Sequence, residues 1–542
     1  MTTQVNKSVG ATARDYATWD LFHDAGPADY TRTRTGTTQA GSTSSTIVLD
    51  SGADATNDYY KHLVVSCDAR PSEKRLITAY NGTTKTATIG ALNGSNSTWD
   101  NTPGTEAFTI DSIVWHADGY NDSEFTGGTL IDIGGSTTSS SCYIEMTAAS
   151  GQSLYDNTAN ANTYDSSKGC ALRTPTGGYG NIGIKVADGV HARLSRLQYK
   201  YDDTTLPGGG TVIRLSANTI VKDFLFLTKY NSYGIVCPEG GTTLINTTLI
   251  IDVSTYTGTA IGVASSGVNL HNCTLVHPSD YSAGGTAFGN YGGATITVTN
   301  CAFFGFSSQG TINSSSDYNV TDLASPTGAN SLGSKTFTSN FVGTTSSAMD
   351  FSPKSGGDIN TAGSRDQTYT SDLDAYGESR STTTPTVGAV EFASSVQSVT
   401  WTPSGGFTVA GVSPELRGKV ENVSGGVSFA GSTSRVFSAT RTTTGGFLFA
   451  SAVAAIYGAV REPVGGIVFA GSSPYESNSS SASATWTSSG GVSFAGSISI
   501  SISCTRTPSG GISFGGTAPK RTGNIYAIYG NNILSQRRRL TR

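Results

Sequence analysis

Charge is scarce in this chain: 13% of its 542 residues are Asp, Glu, Lys or Arg. With a formal net of -5, the chain lacks the charge that keeps a polypeptide unfolded. It holds three Met and no long Leu-Ala-Glu-Lys runs, which leaves little room for helix. No apolar run reaches the ~18 residues of a membrane helix. Met1-Thr-Thr-Gln-Val-Asn-Lys7 has no apolar signal region. The expectation is a protein made in a cytoplasm, which leaves it, if at all, by a route other than a signal peptide. The seven cysteines, Cys67, Cys142, Cys170, Cys237, Cys273, Cys301 and Cys504, are scattered and odd in number, with no CxxC pair. A zinc site or a disulfide framework is not supported, and buried reduced thiols fit better.

What is present is Gly (67 residues), Ser, Thr and many strand formers bounded by turn residues. That composition reads as all-β and long enough for several domains. Glycine shows no three-residue period, so collagen is excluded. Residues 9–24 predict a short helix with Tyr16, Trp19 and Phe22 on one face, as a cap. Residues 1–40 are thus an N-terminal cap. Residues 41–112 read as a small β-hairpin module, with Asn81-Gly82 as its clearest turn.

Residues 113–395 carry a loose repeat. Five stretches superpose on a column through Arg196, Asp223, Asn246, Asn272 and Asn300, with successive steps of 27, 23, 26 and 28. This period suits a right-handed parallel β-helix with coils ~4.8 Å apart. Inward rows are expected at Leu194, Val221, Ile245, Leu270 and Val298, and at Tyr199, Phe226, Leu249, Leu275 and Phe303. Asn at a corner tolerates the left-handed conformation, and stacked Asn can bond one another. Asp223, Asn246, Asn272 and Asn300 are therefore structural positions.

Residues 396–520 hold a stricter array. Gly-Gly pairs begin at Gly405, Gly425, Gly445, Gly465, Gly490 and Gly510, with steps of 20, 20, 20, 25 and 20. Each unit is too small to close a core alone. Strand, Gly-Gly turn, strand predicts hairpin repeats or a thin solenoid, with partner chains burying the apolar face and a homotrimer favoured. Charge is divided along the chain. Residues 401–542 contain 12 Lys and Arg against 4 Asp and Glu, leaving 22 basic and 35 acidic residues before them. The basic tail, residues 521–542, offers Arg537, Arg538, Arg539 and Arg542 for docking on an acidic surface. No aromatic residue lies among these arginines, so nucleic acid is not the expected partner.

Catalytic signals are thin. Asp202, Asp203, Glu239, Asp252 and Asp280 lie in loops or at strand ends, where carboxylates commonly serve local hydrogen bonds. His271 and His277 could both face solvent but lack a third metal ligand. The expectation is no enzyme, no catalytic or metal residue and no cofactor.

Three stretches carry a family likeness. They are Arg14-Asp15-Tyr16-Ala17-Thr18-Trp19; the pair Thr46–Asp58 and Leu76–Lys85; and Met146-Thr-Ala-Ala-Ser-Gly151 followed by Tyr164-Asp-Ser-Ser-Lys-Gly169. Together they resemble bacteriophage virion structural proteins of the tail-fibre type. Residues 350–392, with an Asp-rich turn and Gly388-Ala-Val-Glu391, resemble the terminal coil of right-handed parallel β-helix proteins. The resemblance implies a virion component, a tail fibre or a capsid decoration, often a homotrimer. Its partners would be other virion proteins and a host-surface glycan, with no membrane partner. A tailspike-like polysaccharide depolymerase and a bacterial surface adhesin are the alternatives.

Overall fold

The computed structural model describes residues 2–175, 182–202, 211–237, 241–264, 267–364, 373–381 and 384–392. Beyond these it describes the backbone of short strands between Phe407 and Ile533. The chain divides into two units, Met1–Phe392 and Ala393–Arg542. Both are built from β-strands, and the α-helices among the described residues are Trp19–Asp24 and Phe337–Asn340.

In the first unit, the chain visits three sheets in rotation, starting at the strand Ala107–Gly119. The first sheet continues through Ile144–Ala148, Ala192–Ser195, Thr219–Lys222, Thr242–Ile245, Val268–His271 and Ile296–Thr299. The second runs from Phe125–Thr126 and Ala171–Thr174 to Val320–Thr321. The third runs from Ile131–Ile133 to Ser308–Gly310. Each strand along these three series pairs in parallel with the strand one round later.

Register turns this rotation into side-chain rows. Leu172, Tyr199, Phe226, Leu249, Leu275 and Phe303 align in the second sheet. Ile184, Ile213, Ile235, Ile261 and Phe288 align in the third. These residues are buried in one shared cluster. Tyr199 stacks on Phe226 with ring centroids 5.4 Å apart, and Phe288 meets Phe303 edge-on at 5.4 Å, joining the third sheet to the second. Burying each such side chain is worth about 1.5–3 kcal/mol. The row expected through Ile245 needs one correction. Leu244 pairs with Val221 and Leu270 and is buried, whereas Ile245 pairs with Lys222 and His271 and is only half-buried.

Two further expectations change. Residues 2–9 form a strand, parallel to Ala107–Gly119, and the helix begins only at Trp19. The stretch between is pinned by carboxylates: Asp15 accepts from Ser8, and Asp122 accepts from the backbone of Ala11 and Thr12. Thr18 caps the helix, and Trp19 and Phe22 are buried. The small module is antiparallel, with its Asn81↔Thr86 hairpin, but it is continuous with the three-sheet region. The 13-residue strand Ala107–Gly119 pairs antiparallel with Val64–Cys67 and Arg34–Thr37, then parallel with Ile144–Ala148. The 112/113 boundary therefore falls inside one strand. Cys67, Cys142, Cys170, Cys237, Cys273 and Cys301 are free and buried.

In the second unit, Phe407–Ala410, Val427–Ala430, Phe447–Ala450, Ile467–Ala470, Val492–Ala495 and Ile512–Gly515 form one parallel sheet in register. Ser413–Val420, Thr433–Thr440 and Val453–Val460 form another. Each of these strands pairs in parallel with its equivalent in the next repeat, which agrees with the solenoid alternative and replaces the expected hairpins. A near-constant repeat length brings like positions together, which parallel pairing rewards.

If the rows carry the fold, Leu275→Asp places a charge between Leu249 and Phe303 and abolishes soluble expression. Asn269→Asp, at a half-buried position of the first sheet, leaves expression and a cooperative melt intact. A soluble, cooperatively melting Leu275→Asp protein would contradict the row.

Candidate functional site

The predicted column is a line of backbone corners. Arg196, Asp223, Asn246, Asn272 and Asn300 have φ of 58°, 51°, 48°, 53° and 55°. Each sits just after a first-sheet strand and turns the chain toward the second sheet. Left-handed φ is uncommon for residues other than Gly, and Asn and Asp adopt it several-fold more readily than most. Each corner N–H then donates to a carbonyl one round later: Asp223 to Ile245 (3.0 Å), Asn246 to His271 (3.0 Å) and Asn272 to Thr299 (3.1 Å).

The side chains of this column engage a segment that comes back over it. Asn246 Nδ2 donates to Asp223 Oδ1 (2.8 Å) and to the Leu373 carbonyl (3.0 Å). Asn300 exchanges bonds with the backbone of Ser364. Arg380, which is buried, donates to Asn246 Oδ1 and to the carbonyls of Thr386, Gly388 and Ala389, and pairs with Glu391 at 3.4 Å. Asp374 accepts from the backbone of Tyr376, Glu378 and Glu391. Burial pushes the carboxyls of Asp223 and Asp374 up to about 6, against the lowering pull of neighbours that include Arg380. This is the chemistry of a clasp.

The loop carboxylates are likewise engaged. Asp202 takes Arg173 at 2.6 Å and Lys200 at 3.0 Å. Asp252 accepts from Tyr281 and pairs with Lys229, and Asp280 accepts from Ser346. Asp203 and Glu239 lie outside the described residues. His271 and His277 do not face solvent: both are buried, and both ring nitrogens of His277 face carbonyl oxygens, of Gly305 and Val253. The His277 ring lies 5.9 Å from the ring of Tyr256 and 5.5 Å from that of Tyr281. Among the described residues, no group of three His, Cys, Asp or Glu is arranged to hold a metal ion.

One further group of titratable side chains lies on the first sheet. Burial would depress the His116 imidazole, but hydrogen bonds with Asp118 and Glu145 outweigh it and hold it up to about 9. Its partners stand 3.2 and 2.9 Å away, which makes it a cationic pin between two carboxylates.

A cleft of about 330 Å³ opens beside the first rounds of the second sheet, lined by Glu124, Thr163, Tyr164, Asp165, Ser166, Arg173 and Lys200. Arg173 and Lys200 align on neighbouring strands. Tyr164 donates to Glu124 at 2.6 Å, and its hydroxyl is held firmly protonated by burial and by that carboxylate. The Asp202 hydrogen bond holds the Arg173 guanidinium in its charged form. Glu124, Arg173 and Lys200 did not stand out from the sequence, and Tyr164 entered only within a stretch of family likeness, not as a site residue. The signal was the change along their row, from Thr126, Arg173 and Lys200 to Leu227, Ile250, Val276 and Phe304, but it is visible only once the strands are in register.

No known protein family, curated protein or solved structure matches this chain. The Gly-Gly turns at Gly405, Gly425, Gly445, Gly465, Gly490 and Gly510, and the arginines Arg537, Arg538, Arg539 and Arg542, lie outside the described residues.

The clasp predicts a stability cost. Arg380→Met leaves buried carbonyls and the Glu391 carboxylate without their cation, so it lowers unfolding free energy by about 3–5 kcal/mol in a urea titration. A change below about 1 kcal/mol, the size of a surface ion-pair effect, would show that the returning segment is not clasped there.

Proposed function

We propose that this chain is a non-enzymatic structural component of a bacteriophage virion, forming an elongated fibre or a decoration of the particle surface and contributing to host adhesion. In this proposal the three parallel sheets are the faces of a right-handed parallel β-helix, and the protein assembles as a homotrimer. The observation that carries the proposal is the rotation of the chain through three parallel sheets in continuous register, from Ala107–Gly119 to Ser308–Gly310. Such a lattice suits a rigid scaffold whose function rests on surfaces. Fold alone does not establish function. The virion assignment rests on the likeness of residues 14–19, 46–58, 76–85, 146–153 and 164–169 to phage structural proteins. Engagement of Asp202, Asp252 and Asp280 in ion pairs and local hydrogen bonds favours this proposal over the depolymerase alternative.

The test is to image particles of the phage that encodes the chain, labelled with gold-conjugated antibody against residues 395–542. Labels on the tail or its appendages are expected for a fibre, and regular labels over the head for a decoration. Particles that carry neither label, and whose purified protein shows no peptides of this chain by mass spectrometry, would contradict the proposal.

A further inference from the structure

The outer row of the second sheet changes character where its cover begins. Leu227, Ile250, Val276 and Phe304 are buried in one apolar cluster with Phe337, Phe341, Phe351, Ile359 and Val387 of the returning segment. Arg173 and Lys200, on the preceding strands, are charged and partly exposed, with side chains 38% and 23% accessible. They contribute to the cleft that also includes Glu124, Tyr164 and Asp165.

We infer that this cleft binds one neutral sugar ring of a glycan chain. The argument rests on charge balance. Asp202 already takes both cations, through Arg173 Nε at 2.6 Å and Lys200 Nζ at 3.0 Å, and Glu124 adds a second carboxylate 3.6 Å from Arg173. An anionic ligand would compete with carboxylates in place, and a cationic ligand would meet the guanidinium and ammonium. A sugar hydroxyl both donates and accepts, so it can bond a carboxylate and a cation together without displacing either. Bonds to charged partners are the stronger kind. Thr163, Ser166 and the phenol of Tyr164 add neutral polar groups.

Size and rigidity agree. The cleft stands at the small end of the volumes that ligand sites span, and so suits a single ring. Its loop is already fixed. Asp165 N donates to Gln198 Oε1 at 2.9 Å, while Gln198 Nε2 returns bonds to the carbonyls of Asp165 (2.7 Å) and Gly169 (3.1 Å). Tyr164 also packs against the apolar cluster formed by the row and its cover. A wall set before the ligand arrives spares the ordering cost of binding. The inference rests on the adhesion proposal only for where the glycan comes from; the chemistry of the cleft stands by itself.

The experiment uses the full chain and saturation-transfer NMR titrations with the methyl glycosides of glucose, galactose, mannose and N-acetylglucosamine. Glucuronate and glucosamine serve as charged comparators. At least one neutral glycoside is expected to bind saturably and more tightly than either charged sugar. Glu124→Gln and Lys200→Met are each expected to weaken it about tenfold, as loss of a charged hydrogen-bonding partner would. Lys185→Met, in the third sheet, should leave binding unchanged, and thermal melts should show all three variants folded. Absence of saturable binding, tighter binding of a charged sugar, or binding indifferent to Glu124→Gln and Lys200→Met in folded protein would each overturn the inference. Saccharide binding by a chain that gold does not find on particles keeps the cleft and removes the virion proposal. Labelled particles with no saccharide binding do the reverse.

Discussion

The first unit depends on a backbone corner in the left-handed region, repeated at Arg196, Asp223, Asn246, Asn272 and Asn300. A strand that must leave one sheet and enter the next within two residues cannot stay extended. The corner lets the residue after it, such as Leu197, Phe224 or Cys273, drop into the buried interior. Because each corner N–H bonds a carbonyl one round later, the corners also fix how far each round advances. Once the advance is set, the apolar rows follow: side chains of equivalent positions meet, and Tyr199 lands on Phe226.

Much of this was legible in the sequence, for a physical reason. Asn and Asp tolerate such a corner, and here they recur at a near-constant step, so the column from Asp223 to Asn300 could be read before any pairing was known. The second-sheet row was legible because one large apolar residue stands at a constant offset from each corner. The first-sheet row slipped at Leu244-Ile245, where two adjacent aliphatic residues leave the phase undetermined; only the pairing with Val221 and Leu270 settles which is buried. The strand Thr2–Val9 was missed because its partner Ala107–Gly119 lies about a hundred residues away and local periodicity carries no trace of it. Arg380 was missed because arginine is ordinarily solvated. Its burial is decided by carbonyls that the returning segment supplies.

The returning segment also explains the position of the cleft. An apolar outer row demands a cover, and Phe337, Phe341, Phe351, Ile359 and Val387 provide it over Leu227, Ile250, Val276 and Phe304. The rounds before Leu227 carry Arg173 and Lys200 at the equivalent positions, and charged heads stay near water. The boundary between covered and uncovered rounds is therefore written in the side chains of one row. The same boundary leaves Glu124 and Tyr164 beside the partly exposed cations.

Each round of the chain advances the first sheet by one strand spacing, and a distance between two spin labels reads that advance. Glu145, Arg193, Ile220, Thr243, Asn269 and Thr297 are successive partners in register. Nitroxides on Glu145→Cys and Thr297→Cys, measured by double electron–electron resonance, should lie about 24 Å apart at ~4.8 Å per strand. A narrow distribution near that value, allowing for the label arms, is the predicted result. A separation nearly twice as large, or a broad distribution in folded protein, would show that the rounds do not advance by one strand each.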